Sequence, residues 1–139
     1  MNKINKSIYW NNIGFLENFF NNKLLINRKK IHELIYKKIS FDENKDILYI
    51  GTTPEIKLPH NYLIHDLKNH KRISCVSNQN CSNLKKICKN LKVIKEDGRR
   101  TGLKDLSFDI VYSSATIEHV GSKNNQVKFI DECNRLARK

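Results

Sequence analysis

Two side chains able to move protons stand next to each other near the end of this 139-residue chain, Glu118 and His119. They follow the stretch SFDIVYSS, in which Phe108, Ile110, Val111 and Tyr112 form an apolar run with Asp109 inside it and Ser113-Ser114 at its end. An apolar run of that length bounded by polar residues reads as a buried strand. Glu118 and His119 then fall in the loop just past its carboxyl end, the edge at which open α/β sheets bind ligands. The pair could transfer protons, or it could belong to an ordinary solvated loop. His32, His60, His65 and His70 lie scattered on polar stretches and are assigned no role.

Three earlier segments end in the same way. DILYI, 46–50, is an apolar strand closed by Gly51, whose lack of a side chain permits a tight turn and close approach of a ligand to the backbone. Thr52 and Thr53 follow with hydroxyls and N–H groups suited to a carboxylate or phosphate, and Glu55 adds a charge. RISCV, 72–76, runs into Ser77-Asn78, and LKVIK, 91–95, is closed by Glu96-Asp97-Gly98. The first turn holds one glycine followed by Thr-Thr-Pro, so it is not the G-x-G-x-x-G of dinucleotide sites. Polar groups thus gather at four strand ends in order: Gly51 to Glu55, Ser77 with Asn78, Asp97 with Gly98, and Ser113.

The elements that must hold these groups follow from periodicity. Ile31, Leu34, Ile35 and Ile39 predict an amphipathic helix over about 28–39, with Lys29, Lys30, Lys37 and Lys38 on its other side. Residues 8–22, rich in Tyr9, Trp10, Phe15, Phe19 and Phe20 and containing Gly14, predict a short helix or an irregular arm. FDENKD, 41–46, marks the one boundary, dividing a basic N-terminal segment 1–40 from a domain over 41–139. Pro54 and Pro59 allow only a short or late helix near 60–68. Leu84, Ile87, Cys88 and Leu91 predict a helix over 80–90 capped by Asn80 or Ser82. Val127, Ile130, Cys133 and Ala137 predict a last helix over 122–138, with Arg135, Arg138 and Lys139 suited to its C-terminal dipole. Strands alternating with helices specify β-α-β units and a parallel sheet.

Together these segments resemble the class I S-adenosylmethionine-dependent methyltransferases, in particular the type 11-like group. The resemblance rests on DILYIGTTPE, RISCVSNQN, KEDG and SFDIVYSSATIEHVG and covers about 46–138. It implies a Rossmann-like, mostly parallel sheet of about four strands in the order 3-2-1-4, preceded by the N-terminal helical segment. It implies S-adenosyl-L-methionine as cofactor, with Gly51, Thr52, Thr53 and Glu55 around its methionine end. Ser77 and Asn78 would approach the ribose, Asp97 and Gly98 the adenine, and Ser113 the outer edge. Members usually carry an acid two residues before the first glycine, where this chain has Tyr49, and another at the end of the second strand, where it has Ser77-Asn78. By the same resemblance Glu118 and His119 line the pocket, and His119 could serve as base for a hydroxyl or amine acceptor. A complete fold of this kind continues through three further strands, so the resemblance implies an incomplete domain, truncated or completed by a partner chain. The implied acceptor is a small molecule or a lipid- or sugar-linked group, and the alternative is a non-catalytic remnant or interaction subunit.

Composition narrows the remaining classes. The net charge is +12, and residues 1–40 reach +6 with 8 basic and 2 acidic side chains. That basic segment could meet an anionic substrate or a membrane surface, or be a solvated lysine-rich face. Lysine, asparagine and isoleucine are so abundant that AT-rich coding would produce the charge without a partner. No nucleic-acid motif accompanies it, so a nucleic-acid module ranks last. No apolar run reaches the length of a membrane span and no signal peptide is legible, which makes the cytoplasm the expected location. Cys75, Cys81, Cys88 and Cys133 match no metal-ligand spacing and read as free thiols, and no metal is expected.

Overall fold

A computed structural model of the chain describes residues 6–138, with side chains from Leu16 onward. The side chains of Tyr9, Trp10 and Phe15, and Lys139 altogether, lie outside the described residues. The chain divides into two compact units. One runs up to Ser40 and takes in Lys57–Pro59, and the other holds Phe41–Ile56 and the residues from His60 onward.

The first unit is built on one helix, α1, Lys6–Tyr36, 31 residues long. The short helix or irregular arm expected over 8–22 and the helix expected to start near residue 28 are parts of this one helix. A single glycine costs a helix only about 1 kcal/mol, and the first proline is Pro54. The apolar stripe predicted for its C-terminal half is not its buried side: Ile31, Leu34 and Ile39 are exposed, whereas His32 is buried.

In the second unit four parallel strands pair in the order β3-β2-β1-β4. They are β1 Ile47–Ile50, β2 Ile73–Ser77, β3 Lys92–Lys95 and β4 Ile110–Ser113. The fold is therefore a Rossmann-like α/β arrangement, as the alternation of segments requires. Register brings the strand ends level, with Ile50 beside both Val76 and Ser113, and Ser77 beside Lys95. Among the described residues, the outer edge of β4 has no strand partner.

Side chains alternate across the sheet and feed two cores. On one face Ile47, Tyr49, Ile73 and Cys75 pack with Leu63 and Ile64 of α2, Tyr62–Asp66, and with Cys81, Leu84, Cys88 and Leu91. On the other, Leu48, Ile50 and Val76 pack with Phe129 and Leu136 of α3, Lys123–Leu136. Burial on both faces explains why β1 and β2 read as unbroken apolar runs.

Two helices differ from expectation. Residues 80–90 form only a 3-10 turn, Ser82–Lys86. The Asn80 side chain accepts a hydrogen bond from Ser82 N–H at 3.1 Å, a local turn that competes with a helix start. Leu84, Cys88 and Leu91 are buried all the same. In α3 the core-facing positions are Phe129, Glu132 and Leu136, while Val127 and Ile130 stay about half exposed. Arg135 lies in its last turn, and Arg138 beyond it bridges Asp46 and Asp109 at the strand ends opposite the glycine turn.

Candidate functional site

The level carboxyl ends of the strands surround a cavity of about 310 Å³. Its floor is apolar, made by Ile50, Val76 and Phe129, and its walls come from every strand end. Gly51, Thr52 and Thr53 follow β1, Ser77, Asn78 and Gln79 close β2, and Asp97, Gly98 and Arg99 follow β3. Ala115, Thr116, His119 and Val120 come from the loop after β4. A concave site with an apolar floor and a few convergent polar groups, at the carboxyl edge of a parallel sheet, is where this architecture binds small molecules.

The turn after β1 is held rigidly. Gly51 adopts φ +90°, which side-chain-bearing residues rarely do, and its N–H donates to the Val76 carbonyl at 2.9 Å. A Cβ built on Gly51 would lie 2.2 Å from Thr116 Oγ1, so the close approach that this glycine permits is used by Thr116. The following residues are fastened by Asn61. Its Oδ1 accepts from Thr53 N–H at 3.1 Å, and its Nδ2 donates to the carbonyls of Thr53 and Glu55 at 2.8 and 2.7 Å. The Thr53 N–H, expected to be open to a ligand, is thus committed within the chain. Thr52 is buried; its Oγ1 has no oxygen or nitrogen partner, and the Cys75 thiol lies beside it.

Ser77 also works inward. Its hydroxyl donates to the Thr52 carbonyl at 2.7 Å and accepts from Gln79 N–H at 3.1 Å, locking the ends of β1 and β2 together. Asn78 and Gln79 are exposed and line the cavity. After β3, the Asp97 carboxylate accepts from Arg99 Nε at 3.0 Å, Arg99 Nη2 at 2.6 Å and Arg99 N–H at 2.9 Å. These hydrogen bonds hold its pKa below the ordinary carboxylate value. Gly98 is a packing position: a Cβ there would stand 2.7 Å from Ile50 Cγ2 and 3.2 Å from the Phe129 ring.

The loop after β4 forms the last wall. Ala115 sits at φ +53°, a conformation that costs a non-glycine residue energy and marks a backbone held in place by its surroundings. Thr116 Oγ1 donates to the Ser114 carbonyl at 3.2 Å. Ile117–His119 make one 3-10 turn that brings the His119 ring to the cavity wall. Glu118 is exposed and does not line the cavity, and the same holds for Glu55 and Ser113.

Of the residues singled out by sequence, Gly51, Thr52, Thr53, Ser77, Asn78, Asp97, Gly98 and His119 converge on one cavity. Sequence reasoning did not find Gln79, Arg99, Thr116 or Phe129. Gln79 and Arg99 directly adjoin chosen residues and were within reach of it. Thr116 and Phe129 carry no local signal, because only folding sets one over Gly51 and the other beneath Gly98. Tyr49, standing where an acid was expected, is 3% exposed and packs edge-on against Tyr112 with ring centroids 5.0 Å apart. Among the described residues Asp97 is the single carboxylate on the cavity wall.

No curated protein matches this chain. A family model does: residues 62–139, more than half of the chain, match the methyltransferase domain. The match takes in the ends of β2, β3 and β4 and the whole of α3, and the Gly51 turn lies before it. With a four-stranded parallel sheet in the order 3-2-1-4 and a cavity across its carboxyl edge, the chain belongs to the methyltransferase domain family.

Proposed function

We propose that the cavity takes S-adenosyl-L-methionine and that the chain is the cofactor-binding part of a methyltransferase. The acceptor in this reading is a small molecule or a lipid- or sugar-linked group. The observation that carries the reading is the convergence of four strand ends on one cavity in a member of this family.

The lining is sparing in charge, with Asp97 its single carboxylate among the described residues. The cavity volume is at the lower end of small-molecule sites, about 300 Å³. Gly51, Thr52 and Thr53 would face the methionine end, with Glu55 outside the wall as a more distant charge. Asn78 and Gln79 would reach the ribose hydroxyls, because Ser77 spends its hydroxyl on Thr52 and Gln79. Asp97, with Gly98 beside it, would accept from the adenine amino group, sharing its oxygens with Arg99. Ser113 would remain at the outer edge.

When bound, the cofactor supplies a methyl group for in-line displacement at a sulfonium, a reaction in which the protein contributes mainly position and orientation. His119 stands on the wall formed by the loop after β4 and would take the proton from a hydroxyl or amine acceptor there. Glu118, turned away from the cavity, has no contact with the reacting atoms in this reading.

Calorimetric titration of the full chain with S-adenosylmethionine tests the reading. Saturable binding is expected, with competition by S-adenosylhomocysteine and at least about tenfold weaker binding for Asp97→Asn, the loss of a charge-assisted hydrogen bond. Absence of heat at millimolar cofactor overturns it. Binding without turnover over a broad acceptor panel would identify a non-catalytic binding subunit.

A further inference from the structure

The first unit carries a surface that the cavity does not use. Along α1, Leu16, Phe20, Leu24, Ile31 and Leu34 follow one another at steps of 4, 4, 7 and 3, which places them on one side of the helix. Their exposures are 51, 64, 40, 50 and 63%, so this apolar stripe faces outward along about 27 Å of helix. Scattered apolar residues are normal on a protein surface, but large ones gathered along one side of a helix mark a contact site, here interrupted once by exposed Asn27 between Leu24 and Ile31.

The border of the stripe states what kind of contact. Lys23 and Lys30, seven residues apart and both exposed, run along one edge between the stripe and exposed Phe19 and Ile26, with the Lys23 ammonium 5.6 Å from the Phe19 ring centroid. Exposed Lys29, Lys37 and Lys38 add to the field, and only Glu17 and Glu33 oppose it within the first 40 residues. Long cationic side chains beside large apolar ones suit the boundary between lipid headgroups and acyl chains. There the ammonium stays at the headgroup level while its methylenes lie on the apolar surface. Among the described residues no helix is long and apolar enough to cross a membrane, so the helix would lie in the interface plane. Pairing with a second copy would bring two segments of +6 together, which the charge opposes.

We infer that α1 is a docking surface for an anionic lipid bilayer, with Leu16, Phe20, Leu24, Ile31 and Leu34 entering the acyl boundary and Lys23 and Lys30 meeting acidic headgroups. The inference stands apart from the cofactor reading, since it uses none of the cavity residues.

Vesicle flotation of the full chain tests it, with phosphatidylcholine vesicles as reference and vesicles holding roughly one-third phosphatidylglycerol as the probe. The chain should float with the acidic vesicles only, and raised salt should release it. Lys23→Glu with Lys30→Glu should weaken binding at least about tenfold, since each cation near the surface contributes. Phe20→Asp with Leu24→Asp should abolish flotation, and Lys29→Glu, on the other side of the helix, should change it by less than about threefold. All these positions are exposed, and an unchanged helical circular dichroism signal verifies that the variants fold. No flotation, equal flotation with neutral vesicles, or flotation indifferent to Phe20→Asp with Leu24→Asp overturns the inference. So does a chain that ignores vesicles but sediments as a dimer broken by that same pair of changes, which would assign the stripe to a second copy.

Discussion

Gly51 shows how much one residue can be asked to do. Its φ of +90° excludes side chains on conformational grounds, and Thr116 excludes them by contact. Gly51→Ala should therefore destabilise the fold by about 2 kcal/mol or more, measured by urea unfolding. Combining it with Thr116→Gly should recover the contact part and leave the backbone part, so the two changes will not add. Asn61 and Ser77 carry a related lesson. Both were polar residues near a predicted site, yet Asn61 ties down the turn after β1 and Ser77 locks two strands. Hydrogen bonds within the chain claim them, and that claim is invisible until the partners are placed.

At the scale of elements, α3 is anchored by a carboxylate on its buried side. Glu132, whose side chain is 8% exposed, accepts from Thr101 N–H at 2.7 Å, from Thr101 Oγ1 at 2.6 Å and from Arg135. Arg135 in turn pairs with Asp105. The hydrogen bonds from Arg135, and then those from Thr101, lower the Glu132 pKa from 4.5 to about 2 against the opposing effect of burial. A carboxyl lowered in this way adds stability that is fully present above pH 4.5 and disappears as the pH falls toward 2. The contribution is about 3 kcal/mol at neutral pH. Glu132→Gln should accordingly be less stable than the parent by about that amount at neutral pH, and by under about 1 kcal/mol near pH 2.5. Urea midpoints at the two pH values check it. The apolar stripe expected on α3 misled because Glu132, the charged residue between Phe129 and Leu136, is the one turned inward. Periodicity counts apolar residues and cannot see that a carboxylate has its partners waiting inside.

For the whole molecule, the division into two units makes a prediction about what each needs. Both apolar cores lie in the unit that begins at Phe41. A chain lacking residues 1–40 should keep a cooperative unfolding transition and bind S-adenosylmethionine within about threefold of the full chain. The same shortened chain should no longer float with acidic vesicles. Titration calorimetry and flotation on the two chains separate the outcomes.

The parallel sheet was legible because each strand is a short apolar run closed by a polar or glycine turn, with helical segments between runs, whereas its order followed only from the family resemblance. The family resemblance was legible for the same reason, since it consists of those four strand ends. The long helix was missed because residues 8–22, with Gly14 and several asparagines, show no clear apolar period, while a helix tolerates them when no proline intervenes. What the amino-acid order determined, then, is the local grammar: which residues form strands, where strands stop and which polar groups stand at their ends. Which of those groups face a ligand was decided only by tertiary structure. Thr116 over Gly51, Asn61 on the Thr53 N–H and Ser77 on Thr52 each satisfy or exclude a group by a contact that local sequence does not carry.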